Sequence, residues 1–152
     1  MITIQREIFM RTLGELKPIL DLHYEELALN KDKVPLDPCY ELYDFQESAG
    51  KLLFVTVRDD GELVGYFIGF VQPGLHYRTC LTCVMDIFFI KPGARGAGML
   101  GLKLFRAVEV HLKEMGVQRW VMGSKKHRDA SALFERIGAE PIETTFSKWI
   151  GE

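Results

Sequence analysis

The segment from Met85 to Leu104 constrains the fold more than any other part of the chain. It begins with apolar residues typical of a strand, passes through a glycine-rich turn that carries Arg95, and ends in the first residues of an amphipathic helix. Glycine lets backbone N–H groups approach an anion, and the positive end of the helix dipole faces the same point. The segment therefore predicts a strand, turn and helix that bind a phosphate group.

The size and composition of the chain indicate a single compact domain, residues 1–152. Of its 152 residues, 47% are hydrophobic and 26% are charged. The formal net charge of −2 gives no overall attraction to nucleic acid or to an anionic membrane. The first residues do not resemble a secretion signal, and no apolar run approaches the roughly 18 residues that span a bilayer. We therefore expect a cytoplasmic protein that binds neither nucleic acid nor membrane.

Three cysteines are too few for a disulfide framework. Cys80 and Cys83 have half of a zinc-ribbon spacing, and His76 precedes them. If this segment is a strand, however, the two cysteines point to opposite faces, and the chain has no second cysteine pair. We expect buried free thiols rather than a metal site.

The first half of the chain predicts a strand followed by two helices. Residues 2–8 can form the strand, and apolar residues then recur at helical spacing as far as Leu27, with Pro18 tolerable near a helix start or kink. Residues 30–38 contain two prolines and several polar residues, which is typical of a loop. Residues 40–48 predict the second helix.

The middle of the chain predicts a hairpin and a third strand. Two β-rich runs, residues 52–57 and 63–71, are joined by Asp59-Asp60-Gly61. An Asp-Gly turn between such runs is a strong hairpin signal. Residues 82–90 form another β-rich run, which leads into the glycine-rich turn.

The last third of the chain predicts alternating helices and strands. An amphipathic helix is expected over residues 99–115, followed by a short strand over residues 119–122. Asp129 can cap a last helix that closes at Gly138, and residues 144–150 are expected to form a final strand. The fold class is α+β, with antiparallel strands first and a β-α-β-α-β unit after them.

Three features in this order carry a family resemblance. A strand ends near Pro92, an Arg-Gly-x-Gly sequence opens a long helix, and a short helix ends in Phe-Glu-Arg-Ile-Gly at residues 134–138. The chain resembles the GNAT superfamily of acyl-CoA-dependent N-acyltransferases over nearly its whole length, as a short single-domain member. The resemblance implies a mixed central sheet flanked by helices, and acetyl-CoA as co-substrate.

The resemblance also implies the residues that contact the co-substrate. Backbone groups at the end of the central strand would contact the pantetheine arm, and the glycine-rich turn would bind the pyrophosphate. The family signature, Gln/Arg-x-x-Gly-x-Gly/Ala, departs at Leu100, where Gly or Ala is usual, and Gly101 follows one place later. The implied cofactor-binding residues are Phe88, Phe89, Ile90, Arg95, Gly96, Ala97, Gly98, Met99, Leu100, Gly101 and His127.

Two other interpretations of the turn remain open. Gly96, Gly98 and Gly101 fit the dinucleotide-binding pattern Gly-x-Gly-x-x-Gly, but they follow a hairpin late in a short chain, whereas that pattern belongs after the first strand of a parallel unit. The turn can also be an ordinary strand-to-helix connection that needs glycine for its backbone angles.

Four residues are candidates for a role in catalysis or in binding the acceptor. Asp86 is our candidate base, because some GNAT enzymes that acetylate polyamines carry an acid on this strand, and its apolar neighbours can raise its pKa. It can instead simply pair with a nearby arginine. His76 has a suitable reference pKa and lies in a loop that can border the acceptor site. Glu25 and Glu26 can hold a cationic amine or form a solvated helix face.

The last helix departs from the family pattern. Phe134 stands where many members carry a tyrosine that protonates the departing thiolate, and His127 stands where they carry asparagine. We expect transfer of an acetyl group from acetyl-CoA to a primary amine of a small molecule or protein, with no metal. The alternative is a weak or inactive GNAT-fold protein that binds acyl-CoA or a partner. The acceptor and the oligomeric state, a homodimer included, stay open.

Overall fold

The computed structural model describes residues 1–96 and 99–152, and its strands form one five-stranded sheet in chain order. The strands are β1 (Ile2–Arg6), β2 (Leu52–Asp59), β3 (Glu62–Pro73), β4 (Leu81–Ile90) and β5 (Arg119–Val121). The first four strands pair antiparallel, and β5 pairs parallel to β4. A mixed sheet with helices on both sides confirms the predicted α+β class.

Four helices within the described ranges flank the sheet. They are α1 (Phe9–Leu27), α2 (Tyr40–Ser48), α3 (Leu100–Glu114) and α4 (Ser131–Arg136). A 3-10 turn over Pro92–Ala94 connects β4 to the segment before α3. None of the helices in the described ranges is long and apolar enough to cross a membrane.

The sheet separates two hydrophobic cores. Residues of α3 and α4, including Leu104, Val108 and Phe134, pack on one face of the sheet. Residues of α1, including Leu16 and Ile19, pack on the other face. The strands alternate between these cores, as buried strands covered on both faces must.

The predicted turns are confirmed. Asp60 and Gly61, between β2 and β3, have φ values of 46° and 87°. This left-handed pair is the arrangement that a two-residue hairpin turn requires, and Asp and Gly adopt it at little cost. Gly116 and Gly138 follow the ends of α3 and α4 with φ values of 79° and 90°, as expected for helix-terminating glycines.

A β-bulge in β4 sets the position of Asp86. Ile87 pairs with Ile68 and Met85 pairs with Gly69, so Asp86 has no direct partner on β3. The bulge shifts the alternation of side chains. Met85 packs against the α3 core, whereas Asp86 and Ile87 both face α1 and α2.

The predicted final strand over residues 144–150 is wrong. The structure assigns no strand there, and residues 140–152 are exposed. A sequence with β propensity forms a strand only when a neighbouring strand pairs with its backbone, and β5, the edge of the sheet, has only three residues. The tail makes a side-chain contact instead, because Lys33 Nζ lies 5.2 Å from the centre of the Trp149 ring.

Three smaller expectations also need correction. β1 ends at Arg6, two residues early, because the chain turns into α1. Helix α1 continues through Pro18, whose missing N–H would have bonded the carbonyl of Gly14. Cys83 is buried, and burial raises the pKa of its thiol to about 12, but Cys80 is only partly buried.

Candidate active site

The site is built around the point where β4 and β5 separate. The two strands pair only through residues 82–84 of β4 and 119–121 of β5. Beyond Val84, the edge of β4 from Met85 to Ile90 is no longer paired with β5. We call the space beside this edge the β4–β5 gap.

The backbone groups that face the gap follow from the register of β3 and β4. The N–H of Lys91 donates to the carbonyl of Val64 at 2.8 Å, one residue beyond the end of β4. Hydrogen-bonded and non-hydrogen-bonded pairs alternate along antiparallel strands. The alternation directs the backbone groups of Phe88 and Ile90 into the gap and those of Phe89 toward β3. Two of the three strand residues expected at the cofactor thus present their backbone there.

The start of α3 has the features of an anion site. Met99 is its N-cap residue and makes no side-chain capping bond, and the first turn contains no acidic residue. The first N–H groups of a helix lack partners within the helix and lie at its positive end. Ala97 and Gly98, two of the expected phosphate contacts, lie outside the described residues.

Two other residues of the glycine-rich turn contribute to packing. The side chain of Leu100 is buried in the core beneath α3. A Cβ atom on Gly101 would lie 3.4 Å from Leu133 Cδ2, an ordinary van der Waals distance, so Gly101 lies against α4 where α3 and α4 pack. The departure from the family signature at Leu100 therefore has a structural reason.

Arg95 is held by α1 and by the end of β4. Its Nε donates to the carbonyl of Ile90 and its Nη2 donates to Glu26 Oε2, both at 2.8 Å. Its guanidinium carbon lies 5.3 Å from the centre of the Phe89 ring. Arg128 Nη2 lies 2.6 Å from Glu26 Oε1, as a close charge pair without hydrogen-bond alignment. Glu26 thus connects α1 to the turn and to the loop before α4.

The side chain of Asp86 lines a cavity of about 330 Å³. The cavity lies between α1, α2, residues 28–38 and the strands β3 and β4. The Tyr43 hydroxyl donates to Asp86 Oδ2 at 2.5 Å. Burial raises the pKa of the Asp86 carboxyl, and the bond from Tyr43 partly opposes that rise. Burial, aided by Asp86, also raises the pKa of Tyr43, so its hydroxyl keeps its proton and fixes the orientation of the carboxylate.

A buried histidine lies on the same side of the sheet. The ring of His23 stacks on that of Phe89, with the ring centres 4.9 Å apart. Its Nδ1 lies 2.5 Å from the Tyr66 hydroxyl, which donates when Nδ1 carries no proton. The pKa of His23 is lowered to about 4, mainly by burial, with Glu26 opposing the change and Lys125 and Arg95 adding to it. His23 is therefore neutral at physiological pH.

The neutral state of His23 makes folding stability depend on pH. Its pKa is about 6.5 in the unfolded chain and about 4 in the folded one, so only the unfolded chain gains a proton as the pH falls between these values. The contribution is complete above about pH 6.5. When the pH is lowered from about 7.5 to about 5, we expect the free energy of unfolding of the wild-type protein to fall by about 1–2 kcal/mol more than that of His23→Gln.

Urea denaturation at the two pH values measures this difference. His76→Gln, which removes an exposed loop histidine, is the control and should keep the wild-type dependence. The pKa of Glu7 is lowered to about 2 by Arg58, so Glu7 contributes to acid destabilisation mainly below this window. Equal losses in the wild type and His23→Gln would contradict the burial of a neutral imidazole.

The structure does not bring His76 and Glu25 to the cavity. His76 is exposed in the loop between β3 and β4, at the end of the sheet where Pro73 pairs with Leu81, and its ring contacts Tyr77. Glu25 is exposed on α1. Its carboxylate lies 3.7 Å from Lys31 Nζ. The neighbouring Glu26, rather than Glu25, faces the interior.

The two residues that depart from the family pattern near the last helix lie in different surroundings. His127 is exposed, and its Nε2 donates to the carbonyl of Leu27 at 3.2 Å, which ties the loop before α4 to α1. Phe134 is buried, with its ring centre 5.4 Å from that of Phe105 and 6.2 Å from that of Phe88. Phe134 therefore packs in the hydrophobic core beneath the β4–β5 gap.

We did not expect Tyr43, His23 or Tyr66 at the site, and the sequence did not show which of Glu25 and Glu26 faces it. A signal for two of them was present, because His23 and Glu26 continue the three-and-four spacing of the buried residues of α1. No comparable sequence signal indicates that Tyr43 reaches Asp86, which lies 43 residues further along the chain.

Comparisons with known proteins agree with this geometry. The model of the acetyltransferase (GNAT) family matches residues 17–139. No curated protein matches the chain. Among solved structures, ribosomal-protein-alanine N-acetyltransferase from Brucella melitensis biovar Abortus 2308 superimposes with a TM-score of 0.73 at 19% identity, covering 99% of this chain and 100% of that one.

Two further structures have the same fold. Glucosamine-6-phosphate N-acetyltransferase from Arabidopsis thaliana has a TM-score of 0.72 at 12% identity, covering 99% of both chains. A predicted acetyltransferase from Clostridium acetobutylicum, solved with acetyl-CoA, has a TM-score of 0.71 at 11% identity, covering 99% of this chain and 97% of that one. With the family match over most of its length, the chain belongs to the acetyltransferase (GNAT) family.

Proposed function

We propose that residues 1–152 act as one domain that transfers the acetyl group of acetyl-CoA to a primary amine by direct attack. The observation that carries the proposal is the position of Asp86. The bulge places this carboxylate just beyond the last pair between β4 and β5, with the cavity on its side of the sheet. An amine in the cavity would therefore meet a proton acceptor beside the gap.

The residues present fit acetyl-CoA. The backbone groups of Phe88 and Ile90 would hold the pantetheine arm along the open edge of β4, and the uncapped start of α3 would hold the pyrophosphate. When bound, acetyl-CoA supplies an activated thioester. A backbone N–H that faces the gap would polarise its carbonyl, and such a fixed donor stabilises the charge that develops there.

Asp86 would remove the proton that makes an amine unreactive. A primary amine such as a lysine side chain has a pKa of roughly 10.4 and is protonated at neutral pH. The Asp86 carboxylate would bind the ammonium group and accept its proton, directly or through water. Burial raises the pKa of Asp86 and so brings the acceptor closer to the operating pH. Because Tyr43 donates to Oδ2, Oδ1 is the oxygen that would bind the amine.

Phe134 favours one other candidate function. A tyrosine here would have an acidic proton for the departing thiolate, and the buried phenyl ring has none. A thiolate with a pKa of roughly 8.5 departs without much help, so Phe134 is compatible with turnover that takes the proton from solvent. A protein that binds acetyl-CoA with little or no turnover is the alternative.

Two measurements separate these functions. Free thiol release from acetyl-CoA, followed against a panel of amines, should rise above the amine-free rate with at least one of them. Thermal unfolding in the presence of coenzyme A should shift to higher temperature, because a ligand of the native state stabilises it. A thermal shift without amine-dependent thiol release would favour the binding protein, and absence of both would refute the proposal.

A further inference from the structure

We infer that the acceptor is a primary amine on an apolar body, such as an arylalkyl or alkyl amine, whose ammonium group pairs with Asp86 while its hydrocarbon part fills the cavity. The inference rests on the proposed function and names its acceptor class. The charges, the polar groups and the size of the cavity each support it.

The charges in the cavity select a cation. Among the described residues that line it, the charged side chains are Asp37 and Asp86, and both are carboxylates. Asp86 lies on β4 and Asp37 lies in the segment before α2, and both are exposed. An acceptor with a phosphate or carboxylate would meet two like charges and no cationic partner, so acidic amines are disfavoured.

Apart from two tyrosine hydroxyls, the other side chains of the described lining are hydrocarbon. Leu20 of α1, Ile68 of β3 and Ile87 of β4 form the inner wall, and Val34 and Leu36 of the segment before α2 form the outer wall. Such walls stabilise apolar groups by removing them from water and leave polar groups without hydrogen-bond partners.

The hydroxyl groups of the lining are already engaged. The Tyr24 hydroxyl donates to the carbonyl of Val34 at 2.7 Å, which holds the outer wall against α1. The Tyr43 hydroxyl donates to Asp86. A sugar amine would therefore bury several hydroxyl groups with few partners, which is costly.

The size of the cavity suits a small acceptor. Its volume of about 330 Å³ lies at the lower end of the range for small-molecule sites, about 300–1,000 Å³. A phenyl ring on a two-carbon amine would fit with its charged end at Asp86 and its ring between the two apolar walls. Spermidine, by contrast, carries three ammonium groups against the two carboxylates of the described lining, so at least one of them would lie against hydrocarbon or stay outside the cavity.

Direct binding tests the acceptor class without relying on turnover. Isothermal titration calorimetry compares the classes of amine. The ligands titrated into the protein saturated with coenzyme A are 2-phenylethylamine, hexylamine, spermidine and glucosamine 6-phosphate. We expect the first two amines to bind at least about tenfold more tightly than the last two. The neutral isostere 2-phenylethanol should bind about tenfold more weakly than 2-phenylethylamine, because it lacks the charge that pairs with Asp86.

A matched pair of variants locates the binding site. Leu36→Asn replaces an apolar side chain of the outer wall by a neutral polar one and should weaken binding of 2-phenylethylamine by about tenfold while sparing spermidine. Leu42→Asn makes the same change at an exposed position of α2 outside the cavity lining and should alter neither. Unchanged coenzyme A affinity in both variants would show that the fold is intact.

The outcomes distinguish this inference from the proposed function. Thiol release that is fastest with spermidine or glucosamine 6-phosphate would overturn the acceptor class and leave the acetyltransferase proposal standing. Binding of 2-phenylethylamine without thiol release would support the cavity assignment and count against catalysis. Equal effects of Leu36→Asn and Leu42→Asn, or no binding of either apolar amine, would overturn the inference.

Discussion

Asp86→Asn is expected to lower the turnover number by about 10²–10⁴-fold, the usual contribution of a general base, and to change coenzyme A affinity by less than about twofold. Asparagine has nearly the size of aspartate, and its amide can still accept the hydrogen bond from Tyr43. It cannot take a proton from an ammonium group. The bulge that positions residue 86 arises from the backbone, so the substitution should leave the fold unchanged.

Asp44→Asn is the matched control, because it removes the same charge from an exposed position of α2 next to Tyr43. It should leave the turnover number within about twofold of the wild type, since exposed charges at that distance are well screened. Thiol release at saturating substrate gives the turnover number, and calorimetry gives coenzyme A affinity. If Asp86→Asn and Asp44→Asn turn over equally fast, Asp86 is not the base.

The elements with local signals could be predicted from the sequence. The Asp60-Gly61 hairpin, the helix from Leu100 and its termination at Gly116 depend on turn chemistry and on periodicity within a few residues. The prediction of a final strand is wrong for the opposite reason. Residues 144–150 have β propensity, but a strand also needs a partner, which lies elsewhere in the chain.

The active-site geometry depends on contacts that the sequence does not display. In a regular strand Asp86 would share a face with Phe88, but the bulge places it with Ile87 instead. Gly69, opposite the bulge, has no room for a side chain, because its Cβ would lie 2.6 Å from Cys83 Sγ. The family resemblance and the apolar neighbours of Asp86 indicate the candidate base, whereas its orientation and its partner needed the fold.

The same distinction applies to the glycine-rich turn. Its order of strand, turn and helix predicted an anion site, and the uncapped start of α3 agrees with that prediction. Arg95 illustrates what the pattern could not predict. The signature suggests a phosphate contact, but in this structure its guanidinium group bonds to Glu26 and to the carbonyl of Ile90. The start of α3 is thus a better test of phosphate binding than Arg95.

Met99→Asp is expected to weaken coenzyme A binding by about 10- to 100-fold, whereas Met99→Asn should leave it within about threefold. Met99 is 42% exposed and caps α3 without a side-chain bond, so a smaller polar side chain fits there. Both replacements can accept hydrogen bonds from the first N–H groups of α3. Only the aspartate adds a negative charge where the pyrophosphate would lie.

Calorimetry with coenzyme A measures the affinity of both variants, and urea denaturation measures their stability. Both should be at least as stable as the wild type, because Asp and Asn are good N-cap residues. A loss of affinity in Met99→Asp then cannot be attributed to unfolding. The difference between the two variants should also shrink as salt is added, since it arises from charge. Equal coenzyme A affinities for Met99→Asp and Met99→Asn would place the pyrophosphate away from the start of α3.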